Sequence, residues 1–143
     1  MTELERLYLE DYNLWLERVK DAITNRDFAN MDWRNLVEEI DDMGKLQKRS
    51  LESYLELLVA HILKLQYWES ERERNYKHWK VEVVNFRNRI NRLLKKNPSL
   101  KNYMAEVYAD IFKDTVKAWK IEFHIPSDSF TELSKAMEED YFG

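Results

Sequence analysis

The stretch that decides the fold is residues 36–65, LVEEIDDMGKLQKRSLESYLELLVAHILKL. Its apolar residues recur at helical spacing and share one face of an α-helix, namely Leu36, Ile40, Met43, Leu51, Tyr54, Leu58, Ile62 and Leu65. Asp32 is placed to cap this helix, which is predicted to begin at Trp33 and to continue to the charged run 69–74. A helix of about 37 residues spans about 55 Å, so we expect it to be the longest element, with a bend near Gly44.

The same periodicity predicts three more amphipathic helices, over about residues 3–26, from Tyr76 to Lys96, and from Leu100 to about Trp119. Residues 129–132, Ser-Phe-Thr-Glu, match a capping box and predict a last short helix. Because short connections favour antiparallel neighbours, we expect an all-α fold: an up-down antiparallel four-helix bundle with a short C-terminal helix. Residues 1–143 are interpreted as one domain.

Composition excludes several classes of protein. The 143 residues include no cysteine, so disulfides, thiolate nucleophiles and Cys-ligated zinc or iron–sulfur sites are excluded. The sequence begins without a signal peptide, and no segment has the ~18 consecutive apolar residues of a membrane span. We therefore expect a cytoplasmic protein that does not enter membranes.

Several motifs occur together. Residues 32–44 read DWRNLVEEIDDMG and residues 61–67 read HILKLQY, and they are accompanied by Asp11-Tyr12, Trp15-Leu16, Trp79, Phe86-Arg87 and residues 97–101, NPSLK. Over roughly residues 7–112 this pattern resembles the bacterial family catalogued as domain of unknown function 29. The resemblance implies an all-helical, cytoplasmic bacterial protein without an established activity.

The tail departs from the family pattern. The family usually carries a Cys-Pro pair and an aromatic-Pro ending, whereas this chain has Ile125-Pro126 and closes on Tyr141-Phe142-Gly143. The resemblance therefore assigns no role to the tail.

A buried polar layer is the main candidate site in the sequence. If each helical hairpin is treated as a reflection about its turn, His61 lies level with residue 82 and Arg87 level with residue 108. Asp110 and Asp114 are then predicted on the inward Val107/Ile111 face. Since a buried charge must be paired, we expect Arg87 to meet Asp110 and His61 to meet Asp114, or the reverse. These pairs either fix helix register or make His61 a general base or metal ligand.

Metal and cofactor binding are not predicted. Bundles that hold carboxylate-bridged metals use Glu-x-x-His pairs, and none of the three histidines has a Glu three residues before it. His78 is expected to face outward. In the acidic cluster Glu38, Glu39 and Asp42, two carboxylates could share a cation, but anions are also favoured near the beginning of a helix.

Charge is unevenly distributed. Residues 71–102 carry a net charge of +7, from ten Lys/Arg and three Asp/Glu, whereas the whole chain is at -4. A nucleic-acid surface could be formed by Arg72, Arg89, Arg92, Lys96 and the aromatic Tyr76. The acidic remainder opposes a polyanion, so nucleic acid is not the expected partner.

The expected contact surface for a protein partner is placed at Tyr67 and Trp68, next to a charged turn. The leading hypothesis is a non-enzymatic interaction or regulatory module that binds a protein partner or itself. The alternatives are a small hydrolase-like or metal-assisted enzyme around His61 and Asp114, and a nucleic-acid binder using the third predicted helix.

Overall fold

The computed structural model describes residues 1–143, which form six helices and no strands. The helices are α1 Glu3–Glu10, α2 Tyr12–Thr24, α3 Trp33–Tyr67, α4 Glu69–Lys96, α5 Leu100–Trp119 and α6 Leu133–Ala136. The predicted all-α class is confirmed. None of the six helices combines the length and the apolar character needed to cross a lipid bilayer.

Helix α3 is the longest element, with 35 residues, and begins at Trp33, as predicted. Asp32 caps it: the Asp32 carboxylate accepts the backbone N–H of Asn35 at 3.4 Å and the Asn35 side-chain amide at 2.6 Å. Capping of this kind satisfies N–H groups that a helix cannot pair internally.

The first predicted helix is two helices, and this part of the prediction is wrong. Asp11 leaves helical geometry, with φ -151° and ψ 85°, and its side chain accepts the backbone N–H of Leu14 at 3.1 Å. An aspartate at this position can end one helix and cap the next. Periodicity missed the break because the apolar spacing continues through it.

The chain forms two compact units, Met1–Leu46 and Gln47–Gly143. The first has a small core of three buried residues, Leu7, Trp15 and Val19. The second has a large core built on α3, α4 and α5, with Phe123, Ile125 and Ala136 added from the C-terminal segment. The single domain and the up-down order of the bundle remain predictions.

The C-terminal segment does not form the predicted capping box. Helix α6 begins after Glu132, which makes no side-chain cap bond. Ser129 donates its hydroxyl to Tyr67 at 3.2 Å instead, and Thr131 is buried, its carbonyl accepting the Tyr108 hydroxyl at 2.6 Å. The motif failed because the Ser129 hydroxyl bonds to Tyr67 and does not cap a helix.

Candidate functional site

Arg87 is the only buried cation of the described core, with 4% of its surface exposed. Its guanidinium donates to three carbonyl oxygens of the C-terminal segment: Ala136 at 2.8 Å, Glu139 at 3.3 Å, and Tyr141. The Phe142 ring lies 5.4 Å from the guanidinium carbon. Burial lowers the pKa of Arg87, while the negative groups of the tail oppose that shift.

The predicted partners of Arg87 are wrong. Asp110 and Asp114 are both exposed, because the inward face of α5 is formed by Met104, Tyr108, Phe112 and Thr115. Relative to Tyr108, at 100° per residue, Asp110 lies about 160° away and Asp114 about 120° away. The prediction placed the inward face on Val107 and Ile111, which are only half-buried. Arg87 is buried as expected, but its acceptors are backbone carbonyls, which have no signature in a sequence.

His61 is half-buried on α3, and its Nδ1 donates to the Leu57 carbonyl at 2.7 Å. Its ring lies 5.3 Å from the Phe86 ring, and the charged groups acting on it are Lys64, Glu82 and His78. The predicted level of His61 with residue 82 therefore agrees with its surroundings, and His78 is exposed as expected. Desolvation lowers the pKa of His61. The pairing with Asp114 is wrong, so no carboxylate orients this imidazole for general-base chemistry.

The three carboxylates of the acidic cluster, Glu38, Glu39 and Asp42, differ in their surroundings. Glu39 accepts hydrogen bonds from the hydroxyls of Tyr8 and Tyr12, each at 2.5 Å, and these bonds lower its pKa. The bond from Tyr8 raises the pKa of Tyr8 to about 12. Glu38 and Asp42 are exposed. No group of three or more His, Asp or Glu side chains is placed to hold a metal ion.

A second group of hydrogen-bonded polar side chains lies in the unit Met1–Leu46. The Trp15 indole donates Nε1–H to Asp32 at 3.2 Å, and Asp32 is 3% exposed. A cavity of about 320 Å³ is lined in part by Tyr8, Asp32, Asn35 and Glu38. The role of Tyr8 and Tyr12 is not evident from periodicity, because tyrosines at helical spacing resemble an apolar helix face. Their positions, seven and three residues before Trp15, were the available signal for an aromatic group with hydroxyl donors.

Tyr67 and Trp68, the predicted partner surface, are half-buried and pack against the core of Gln47–Gly143. The Trp68 ring stacks on the Phe123 ring at 4.9 Å and on the Trp79 ring at 5.9 Å. These contacts give both residues a structural role, and their docking role remains a prediction.

The largest exposed apolar side chains on α3 lie in its N-terminal half. Trp33, Val37 and Ile40 are 53%, 63% and 59% exposed. At 100° per residue they fall within 40° of Gly44, and we call these four residues the α3 apolar face. The same stripe reaches Leu51, which is fully buried. Ile40 and Met43 share the apolar periodicity with the buried residues of α3 but are not covered, since Met43 is also 57% exposed.

Gly44 has no packing partner. A Cβ atom built on it would meet nothing within 4 Å, so the fold of the chain does not require a glycine at this position. In a helix interior, glycine is less favourable than alanine by roughly 0.8–1.0 kcal/mol.

A basic groove lies on α4. Arg89, Arg92 and Lys96 line a cavity of about 330 Å³ together with Gln47, Ser50, Tyr54 and Leu93. No carboxylate is among these residues. Arg72, by contrast, is half-buried and donates to the Gln66 carbonyl at 2.9 Å.

Comparison with known proteins places the chain in a family. No curated protein and no solved structure matches it significantly. The family described as "Domain of unknown function DUF29" matches residues 7–142. This match includes the tail as well as the motifs, and the chain therefore belongs to the DUF29 family.

Proposed function

We propose that this protein is a non-enzymatic protein-interaction module whose docking surface is the α3 apolar face. We also propose that the helices follow the up-down order of the predicted bundle and that the protein acts in the bacterial cytoplasm. The lack of cysteine is compatible with that reducing compartment. The observation that carries it is the exposure of Trp33, Val37 and Ile40 on one helical stripe.

Exposed apolar side chains matter here because they are contiguous. Single exposed apolar residues are ordinary, whereas a contiguous apolar patch with a polar rim is typical of a binding surface. Trp33 adds an aromatic side chain, the type that most often dominates binding energy when a partner covers it. Arg34, Glu38 and Asp41 supply charged residues beside the stripe.

The enzymatic alternative has less support. It required an interior His61 held by Asp114, and Asp114 is exposed. His61 directs Nδ1–H to its own helix and has Phe86 as its ring neighbour, an arrangement typical of a satisfied structural histidine.

The test is site-specific photo-crosslinking in the cell that produces the protein. A photoreactive amino acid replaces Val37, and the matched control replaces Val81 on α4, which is 55% exposed. We expect a discrete crosslinked species from position 37 and not from position 81. The absence of any crosslinked polypeptide at position 37 would contradict the proposal.

A second candidate function is binding of a polyanion in the basic groove. The groove brings three cations together without a carboxylate, and such a surface attracts phosphate backbones in a salt-dependent way. Fluorescence anisotropy with a labelled single-stranded oligonucleotide tests it. Binding that is lost in the Arg89→Glu/Arg92→Glu variant and weakens with salt would support it, and no binding at low salt would exclude it.

A further inference from the structure

We propose that a cavity between α4 and the C-terminal tail binds a small zwitterion of the amino-acid type, with a carboxylate, an ammonium group and an apolar side chain. This α4–tail cavity has a volume of about 420 Å³ and lies within the unit Gln47–Gly143. The inference goes beyond the proposed function, because it uses no residue of the α3 apolar face. The residues that line the cavity are Val84, Arg87, Asn88, Asn91, Met137 and Glu139.

The size and the lining of the α4–tail cavity are typical of a small-molecule site. Such sites have volumes of roughly 300–1,000 Å³ and combine apolar walls with a few convergent polar groups. Val84, which is 40% exposed, and the half-buried Met137 supply the apolar walls. The polar groups are one guanidinium, one carboxylate and two carboxamides. The cavity therefore offers both signs of charge and a place for an apolar side chain.

Arg87 supplies the donors for a ligand carboxylate. A guanidinium has five N–H groups, and three of those of Arg87 donate to carbonyl oxygens of the tail. The remaining two have no acceptor within the chain. Since Arg87 also lines the cavity, these two N–H groups are the donors available to a ligand there. Hydrogen bonds from a guanidinium to a carboxylate are stronger than those between neutral groups.

Asn88 and Asn91 are unfavourable residues for the interior of α4. Asparagine is less favourable than alanine in a helix by up to roughly 0.7 kcal/mol per residue. Both side chains are exposed, and neither amide forms a hydrogen bond with another residue. The fold does not account for them, and residues that break a local rule without a structural gain often belong to a functional site. A carboxamide beside the cavity can donate to a carboxylate and accept from an ammonium group.

Glu139 supplies the negative charge of the lining. Its backbone carbonyl accepts from Arg87, but its exposed carboxylate takes part in none of the ion pairs of the chain. The negative groups that oppose the lowering of the Arg87 pKa are Tyr141, Asp140 and Glu138. The carboxylate of Glu139 is therefore free to pair with an ammonium group in the cavity.

The distribution of charge favours a zwitterion over a simple anion or cation. A purely anionic ligand would meet Glu139 and its neighbours Glu138 and Asp140, and like charges at close range are unfavourable. A purely cationic ligand would meet Arg87. A ligand with both charges places its carboxylate at Arg87 and its ammonium group near Glu139. An apolar α-amino acid combines this pair of charges with a side chain for the apolar walls.

Three probes of similar size separate the roles of the two charges. L-leucine carries both charges, isocaproate carries only the carboxylate, and isoamylamine carries only the ammonium group. Each probe is titrated into the isotope-labelled full chain up to about 30 mM, so that weak binding is included. The backbone amide signals of residues 84–91 and 137–139 are followed by NMR.

We expect saturable shifts of these signals with L-leucine, at a Kd at least tenfold below that of either analogue. Unchanged signals with L-leucine would overturn the proposal. Equal binding of the three probes would also overturn it, because neither charge would then contribute to recognition.

Two variants test the residues, and both keep Arg87 because it also holds the tail. Asn88→Ala/Asn91→Ala is expected to raise the Kd for L-leucine at least fivefold, in a helix that alanine favours. Glu139→Gln should raise it at least threefold and should reduce the preference for L-leucine over isocaproate, a change that a merely structural role would not produce. The control Asn102→Ala, at an exposed asparagine of α5, should leave the Kd unchanged. Equal effects of the control and of the double variant would overturn the assignment of the site.

Discussion

A guanidinium that is only 4% exposed must place its donors on acceptors within the protein, and Arg87 places them on three carbonyl groups of residues 136–141. Carbonyl oxygens share the positive charge without adding a second buried ion. The arrangement ties the C-terminal segment to α4, and Phe142 covers the guanidinium from one side. At the scale of single residues, Arg87 alone makes three hydrogen bonds between the tail and the helices.

We predict that Arg87→Leu lowers the free energy of unfolding by on the order of 3 kcal/mol, because the buried carbonyl of Ala136 and two further carbonyls of the tail lose their donor. Arg87→Lys should recover only part of the loss, since an ammonium group cannot reproduce the planar donor set of a guanidinium. Urea unfolding measures both. The control Arg92→Leu, at an exposed arginine of the same helix, should change stability by less than about 0.5 kcal/mol. Equal losses in the two leucine variants would contradict the role assigned to Arg87.

His61 predicts a pH dependence of stability. Burial lowers the pKa of its imidazole below the ordinary 6.5, so the unfolded chain binds the proton more readily than the folded protein does. The contribution of His61 is therefore fully present above pH 6.5 and is lost as the pH falls toward the lowered pKa. Lys64, Glu82 and His78 are the charged groups that act on the imidazole.

The measurement is urea unfolding from pH 7.5 to 5.5. In His61→Gln the loss of stability over this range should be smaller than in the wild type. His78→Gln, at the exposed neighbour, should keep the wild-type dependence. If the pH dependence is reduced in His78→Gln and not in His61→Gln, the prediction for His61 is wrong.

The residue scale also shows where sequence reasoning stops. Burial of Arg87 could be predicted because it falls between Val83 and Ile90 on the α4 stripe. Its acceptors could not, because every residue carries a carbonyl. Asp110 and Asp114 were misplaced because two neighbouring stripes of α5 are both apolar, and only packing selects the one that contains Tyr108 and Phe112.

At the scale of elements, Gly44 is the least favourable residue for the interior of α3, and its surroundings leave room for a side chain. We predict that Gly44→Ala raises the free energy of unfolding of the monomer by roughly 0.8–1.0 kcal/mol, the difference in helix propensity. The measurement is thermal or urea unfolding. Ala105→Gly, at an exposed site on α5, is the reciprocal control and should lower stability by a similar amount. A destabilised Gly44→Ala chain would mean that the glycine has a role inside the monomer.

The ends of the helices were predicted best where a capping residue and a change of composition coincide. Asp32 and Trp33 fix the beginning of α3, and the charged residues after Tyr67 follow its end. The break at Asp11 was missed because a capping aspartate inside an apolar repeat does not interrupt the repeat. The exposure of Trp33, Val37 and Ile40 was missed because periodicity identifies an apolar face but not what covers it.

At the scale of the whole molecule, the two compact units have cores of very different size. Trp15 is fully buried in the smaller core, where it packs against Leu7 and Val19 and bonds to Asp32. The larger core draws on α3, α4, α5 and the C-terminal segment. A unit with few buried apolar contacts opens at a lower free energy than one with many, and the difference can be read from hydrogen exchange.

We predict that amides of α1 and α2 exchange faster than those of α4 and α5. We also predict that Trp15→Ala increases this difference in exchange rate. The substitution removes a fully buried aromatic side chain and one of the hydrogen-bond donors to the Asp32 carboxylate, and loss of a buried aromatic side chain costs about 3–5 kcal/mol in a protein core. Since the smaller core has no second buried aromatic side chain, we expect residues 1–46 to lose protection while α4 and α5 keep theirs. Native-state hydrogen exchange followed by mass spectrometry resolves the two sets of peptides. The matched control Leu58→Ala, in the larger core, should instead lower protection in α4 and α5. Loss of protection throughout the chain in Trp15→Ala would show that the two units unfold as one.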